Sequence, residues 1–533
     1  MAYAERRGNL WRARWRGPDG TLESKPGFQA RKDAERYGRD QEAAIRAGTY
    51  IEPRARQITL TEWVNEWYPA LDLEPSTLSN YRYMIEVLIL PEFGDAALSD
   101  ITAQWVSTWE RQLTASGYAA RTARDARSTL TTILADAIPR HIQANPAQRR
   151  RGKGRKGLRR IERIAKTEKA WATPLEALLV AERCAALSGC DTDFVMILTM
   201  AYTGVRWSEI IGLRPEYVLP GKIDVSWKLY ELNGRFYRGR PKAGSIRPAD
   251  LPLFLSEMLA SHIEPATTRK CTCRNAQPPW CPGKDYVFLG PEHGHFRRSN
   301  YSERFLRPAA DGWHPAHGKR PAMPVLADAG SAFPGRPVPP WPAAVPGEEF
   351  SPPTGRGVAR LVSDSEIGRC PACGRALPRR RDGRVIAHKT RSGRCEGSGL
   401  WPAQDVALAS WLPVRSGLTA HGLRHGHQTW MDEDGIPDVL KSERMGHEVP
   451  GMHGVYGHVS SAMRNQLKAA LQARWETSVR ERARLAPHSI VGVLDALLTD
   501  ATAAAGRGRL RGRNRSAAPG QPRSPRRPLS PGQ

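Results

Sequence analysis

Acidic side chains are scarce in this sequence: 54 Asp plus Glu stand against 80 Lys plus Arg, a formal net charge of +26. That deficit points to a polyanionic partner, because neutralising phosphates releases counterions. DNA or RNA leads and an anionic membrane follows; a basic surface that only keeps the chain in solution is the plain alternative. Long apolar runs are missing as well. No stretch approaches the roughly 20 apolar residues that span a bilayer. No N-terminal segment joins a basic start, an apolar stretch and a small-residue cleavage site, so the expectation is a soluble, cytoplasmic protein. Cysteine is sparse, eight in 533 residues with one clear C-x-x-C. A disulfide framework is thereby disfavoured, and reduced thiols with metal ligation are favoured.

Size implies several compact units, and 40% hydrophobic residues suffice for real cores. Residues 1–55 read as a basic hairpin, Leu10 to Arg16 alternating apolar with Arg, a Pro18-Asp19-Gly20 turn and a second strand from Thr21, followed by a helix from about Ala30 to Gly48. Arg12 and Arg14 would line a face able to meet DNA, although a packed mini-domain explains the tryptophans equally well. Residues 56–147 are helical by spacing: Leu60, Trp63, Trp67 and Leu71, later Leu130, Ile133, Leu134 and Ile138. Arg121 and Arg124 share a helix face there, suited to backbone phosphates or simply solvated. Residues 148–170 form a densely basic linker.

A larger unit, 171–482, begins at the helix start Thr173-Pro174 and includes a strand-rich patch from Lys222 to Pro252. A Pro- and Gly-rich insertion occupies about 308–400, and 483–533 reads as a short apolar helix followed by a largely disordered basic tail. The fold class expected is α+β and mainly helical, with small antiparallel sheets.

The most informative stretch is Thr419-Ala420-His421-Gly422-Leu423-Arg424-His425. Thr419 can cap a helix whose first turns present His421 and Arg424 three apart. The helix should run to Asp434 and stop at Gly435. Pro437 then opens another that ends at Gly446, with His447 just beyond. Nine residues further stands Tyr456. Upstream lie Thr203-Gly204-Val205-Arg206-Trp207-Ser208-Glu209 and Arg240-Pro241-Lys242-Ala243-Gly244-Ser245.

In order and spacing these blocks resemble the tyrosine recombinase and phage integrase family, as an integrase of the actinobacterial type with a Cys-rich insertion. The resemblance runs from about Thr173 to Trp475; residues 56–147 match the family's helical, SAM-like core-binding domain by position, and 1–55 its arm-binding domain. It implies site-specific DNA cleavage and rejoining, without ATP or a catalytic cofactor. Catalytic roles fall on Arg206, Lys242, His421, Arg424, His447 and Tyr456, with Glu209 as support. It further implies double-stranded attachment sites as partner, a homotetramer on two duplexes, a directionality factor and association with the nucleoid. The chemistry is intelligible from the residues. Two guanidiniums can clamp the non-bridging oxygens of an inert phosphodiester, a phenol can attack, and an imidazole can take its proton. A transposase or resolvase of the same chemistry, or a regulator on a degenerate scaffold, are the alternatives.

Within the insertion, Cys370-x-x-Cys373 followed by His388 and Cys395 suits a structural zinc ribbon. A redox pair and an incidental pair stay open. Cys271, Cys273 and Cys281 make a second group, with His293 or His295 as a fourth ligand.

Overall fold

The structure, a computed structural model, describes the chain outside residues 49, 53–54, 150–168, 242–244, 265–268, 275–278, 291, 317–321, 329–366, 374, 381–383, 391–392, 404–407, 412, 448–457, 486–487, 490 and 501–533. It divides into two compact units, Met1–Lys166 and Thr167–Gln533. Most of the expected basic linker therefore lies outside the described residues.

The first unit opens with an antiparallel sheet of β1 (Tyr3–Arg7), β2 (Leu10–Arg16) and β3 (Leu22–Phe28), covered by helix α1 (Arg31–Arg46). Alternation in β2 selects the buried face: Ala13 and Trp15 pack with Ala34 of α1. Arg12, Arg14 and Arg16 therefore stand on the opposite face. Register places Tyr3 across from Arg14 and Glu5 across from Arg12, and Arg14 pairs with Glu5 at 2.7 Å. Strand β1 goes beyond the expected hairpin, because Tyr3-Ala-Glu-Arg-Arg carries no apolar alternation.

Among the described residues five α-helices follow in this unit: α2 (Leu60–Trp67), α3 (Pro75–Tyr83), α4 (Leu90–Phe93), α5 (Ala103–Ala115) and α6 (Ala120–Ala135). Thr59 and Glu62 close a capping box on α2. A widened π turn, Met84–Ile89, precedes α4, where Pro91 lacks the amide a regular turn would use. Their core gathers Trp63, Trp67, Phe93, Trp109, Leu130 and Ile133, and the Trp63 indole donates to the Ile133 carbonyl at 3.0 Å. Arg121 and Arg124 are exposed on α6; Arg121 faces Asp125 at 3.5 Å and Arg124 donates to the Ala120 carbonyl at 3.1 Å.

The second unit is a helical bundle with small sheets. Its helices are α7 (Pro174–Ser188), α8 (Asp191–Thr203), α9 (Trp207–Ile210), α10 (Leu253–Ile263), α11 (Arg298–Tyr301), α12 (Arg307–Asp311), α13 (Ala420–Glu433), α14 (Asp438–Met445) and α15 (Ser461–Leu485). Strands β4 (Val218–Leu219), β5 (Lys222–Val225) and β8 (Arg247–Asp250) form one antiparallel sheet, and β6 (Lys228–Leu232) and β7 (Arg235–Gly239) a hairpin. Helix α8 is buried on all sides from Thr192 to Thr203, which marks it as the centre of the bundle. Around its end, Tyr202 meets Phe254 and Trp430 at 4.9 and 5.1 Å, and Phe254 stacks on Trp475 at 4.2 Å.

Three boundaries differ from expectation. The insertion begins later than 308, because Pro308 to Asp311 belong to α12 and Ala309 and Ala310 are wholly buried in the bundle core. The chain leaves and returns where Leu326–Asp328 pairs with Leu408–Ser410. Pro437 is the cap of α14, with Asp438 the first helical residue, since its extended backbone precedes the turn. The folded unit also continues past 482: α15 runs to Leu485, 492–500 are helical, and Leu494 and Leu498 are fully buried. The tail from 501 lies outside the described residues.

Candidate active site and metal-ligating clusters

Two glycines build the site. Gly204 ends α8 and Gly446 ends α14, both with left-handed φ, +67° and +59°. A Cβ at Gly204 would lie 2.8 Å from the His427 ring, and one at Gly446 would lie 2.9 Å from Ser245. Only glycine turns there without strain. The turns aim carbonyls at arginines: Arg424 Nη1 donates to Gly204 O at 2.5 Å, Arg424 Nη2 donates to Met445 O, and Arg206 Nη2 donates to Gly446 O at 3.4 Å. The two guanidiniums thus rest on consecutive peptide carbonyls, 445 and 446, although 218 residues separate them in sequence. Arg424 Nη2 also donates to His447 Nε2 at 3.1 Å, which leaves the imidazole hydrogen on Nδ1.

Arg206 is itself the cap residue of α9. Its amide and Nη1 both donate to Glu209, at 2.8 Å each. Glu209 accepts a second guanidinium, Arg247, at 2.9 Å, with both of those side chains almost fully buried. Burial raises the Glu209 pKa, yet Arg247 and Arg206 outweigh it and hold the carboxyl below its usual range. Arg247 also donates to the Arg444 and Ser245 carbonyls at 2.6 and 2.8 Å. Arg444, wholly buried, ties α14 to the Tyr202 and Asp250 carbonyls and to His427 Nε2. Sequence reasoning passed over Arg247 and Arg444. Arg247 stands only two residues after the quoted Arg240–Ser245 block, and that proximity was the available signal.

His421 sits one turn before Arg424 on α13, with Thr419 capping the helix through the Gly422 amide at 3.1 Å. Burial, then the nearby His425, Arg424, Lys169 and Arg206, push its pKa down to about 4. His447 is lowered by burial and by Arg424, Arg206 and Arg247. Both imidazoles are therefore biased toward the neutral form. Burial lowers Arg424 to about 9, helped by Arg206 and Arg247, so it keeps its charge at neutral pH. The His425 ring stands edge-on to His421 at 4.7 Å. Arg206 and His421 open onto a cleft of about 950 Å³ bounded by Tyr230 and Glu231 of β6 and by Arg298. Lys242 and Tyr456 lie outside the described residues.

Two thiol clusters stand apart from this site. Cys370, Cys373, His388 and Cys395 bring their ligating atoms within 4.8 Å of one another, as do Cys271, Cys273, Cys281 and His295. A zinc tetrahedron with Zn–S bonds near 2.3 Å has sulfur–sulfur edges of about 3.8 Å and sulfur–nitrogen edges of about 3.5 Å. In the first cluster Cys370 and Cys395 sulfurs are 3.7 Å apart and Cys373 Sγ lies 3.3 Å from His388 Nε2. His388 Nδ1 is held by the Ile386 carbonyl at 2.9 Å, which turns Nε2 toward the thiols. The Cys373 amide points at Cys370 Sγ, and a Cβ on Gly397 would overlap that sulfur.

Residues 59–113 match the family described as "Phage integrase, N-terminal SAM-like domain". An integrase of Mycobacterium phage L5 is 24% identical over 254 residues, 45% of this chain and 64% of that protein. Over these stretches the chain is similar to phage integrases. The chain thus spans under two thirds of the length of that curated relative. Among solved structures, the Tn1549 transposon integrase in complex with transposon right end DNA covers 76% of the chain and 98% of its own, with TM-score 0.45 and 14% identity. A lambda integrase dimer bound to a core site covers 86% and 99%, with TM-score 0.38 and 15% identity.

Proposed function

We propose that this chain is a site-specific DNA recombinase that integrates or excises a mobile element through a 3′-phosphotyrosine at Tyr456. The observation that carries the reading is the placement of the Arg206 and Arg424 guanidiniums on adjacent carbonyls, beside His447 and a neutral His421. A scissile phosphate there would meet paired donors that are held before the reaction begins, which is where electrostatic catalysis gains most. Tyr456 Oη would attack phosphorus as the bond to the 5′ oxygen breaks. His421 would take the phenolic proton, Lys242 would protonate the departing oxygen, and His447 would donate Nδ1–H to the phosphate. The phosphotyrosine retains the ester bond for religation, so the exchange needs no ATP.

Arg12 and Arg14 on the open face of β2, and Arg121 and Arg124 on α6, are proposed to contact double-stranded attachment-site DNA. Assembly as a homotetramer on two duplexes, a directionality factor, and a cytoplasmic, nucleoid-associated location belong to the same reading. The test is a nicked suicide duplex carrying the junction sequence of the element that encodes the chain. Wild type is expected to give a denaturation-resistant protein–DNA adduct that Tyr456→Phe does not form. A regulator would give only a salt-sensitive mobility shift in both, and that result would remove the assignment.

Cys370, Cys373, His388 and Cys395 fit a structural zinc ion, which would fasten an insertion whose described residues gather Cys370, Leu377, Val385 and Cys395 into a small core. Cys370→Ser/Cys373→Ser is expected to lower bound zinc by one ion per chain, read by elemental analysis of the full-length protein. Unchanged zinc content would leave the insertion without its fastening.

A further inference from the structure

The β6–β7 hairpin is two-stranded by itself, a marginal arrangement in water. Its outgoing strand ends at Gly239, three residues before Lys242. A later segment bridges its edge: Trp280 pairs antiparallel with Tyr237, the Arg238 amide donates to the Pro279 carbonyl at 2.8 Å, and the Cys281 amide donates to the Phe236 carbonyl at 2.8 Å. The Trp280 ring lies 3.9 Å from that of Tyr237. The bridging segment therefore leads straight into a thiol cluster.

Cys281 Sγ lies 3.5 Å from Cys271 Sγ and 3.2 Å from His295 Nε2, close to the edges of a zinc tetrahedron and far from the roughly 2 Å of a disulfide. Cys271, Cys281 and His295 are buried, so water does not solvate the three donors. Gly283, two residues after Cys281, adopts φ +65°, and a Cβ there would lie 2.6 Å from the Cys273 carbonyl; the loop closes only around glycine. The His295 ring also packs on Phe236 of β7 at 4.8 Å. One cluster thus touches the hairpin twice, through the Cys281 amide and through His295.

We infer that Cys271, Cys273, Cys281 and His295 bind a second zinc ion, which locks the 279–281 segment onto β7 and so sets the stem that leads to Lys242. Three thiolates and an imidazole form a closed, four-donor set that zinc fills without redox chemistry. The metal assignment stands on geometry alone; the positioning of Lys242 rests on the recombinase reading above.

Elemental analysis of the full chain, purified under reducing conditions, should find two zinc ions. Cys281→Ser and the half-exposed Cys273→Ser should each lower this to one, Cys281→Ser/Cys370→Ser/Cys373→Ser to none, and His295→Cys should keep two. A wild type with one zinc that Cys281→Ser leaves untouched, or an intact mass showing a Cys271–Cys281 disulfide, overturns the metal site. For the positioning role, Cys281→Ser should bind the duplex as wild type does but form adduct about tenfold more slowly, as a displaced general acid would. A substrate with sulfur in place of the 5′ bridging oxygen needs no proton on its leaving group and should restore the rate. Equal slowing on both substrates overturns the positioning role, and absence of any adduct from wild type identifies failure of the recombinase reading instead.

Discussion

Arg424→Lys is expected to slow formation of the covalent DNA adduct by about 10²- to 10³-fold, the effect of losing one oriented donor to a transition-state oxygen. The guanidinium spans three acceptors at once, Gly204 O, Met445 O and His447 Nε2. A lysine ammonium has its donors at a single point and cannot reach carbonyls on both helix ends while still facing a phosphate. It would also release His447, whose hydrogen is kept on Nδ1 by accepting from Arg424. DNA affinity should change only a few-fold, because many phosphate contacts share it. Arg424 is 3% exposed, so an unsatisfied carbonyl will cost some stability, about 1–3 kcal/mol. Adduct formation is therefore compared well below the variant's melting temperature, with Arg206→Lys, at a more exposed position, as companion. A folded Arg424→Lys protein that forms adduct within about threefold of wild type would sink the proposal that this side chain serves as a transition-state donor.

The blocks around Arg206 and Arg424 were legible in sequence through their helix-end signals and the spacing from Thr419 to His447. Gly204 two residues before Arg206, and Gly446 directly before His447, mark the helix ends that aim carbonyls at Arg424 and Arg206. What stayed hidden is the layer behind them. No sequence signal singled out Arg247 or Arg444, and only the fold shows both enclosed and tied to carbonyls nearly 200 residues away. The cysteine spacing placed Cys271, Cys273 and Cys281 together but could not choose between His293 and His295. Burial chooses, since His293 is exposed while His295 points at Cys281. Strand β1 was invisible because its side chains do not alternate; its edge pairing with β2 decides it. The end of the folded unit was misplaced for a different reason: the contact that fixes it joins Arg482 to Glu182, 300 residues apart.

That contact carries the largest stability effect expected in the chain. Arg482 Nε and Nη2 meet the two Glu182 oxygens at 2.7 Å each, Ser489 adds a hydroxyl at 2.7 Å, and both charged side chains have no exposed surface. Glu182→Ala takes both carboxylate oxygens away from a guanidinium with no exposed surface, which also donates to the His488 carbonyl at 3.1 Å. An uncompensated buried charge costs about 3–5 kcal/mol, a large part of the stability of an ordinary domain. The urea midpoint of the full chain should fall accordingly. Glu182→Leu/Arg482→Met, which removes both charges at similar volume, should recover most of the loss, because a buried pair returns little beyond its own desolvation. A Glu182→Ala protein within about 1 kcal/mol of wild type would mean that water reaches the pair. In that case residues 491–500, which follow Ser489, would be held by the apolar packing of Val491, Leu494 and Leu498 instead of by the charge pair.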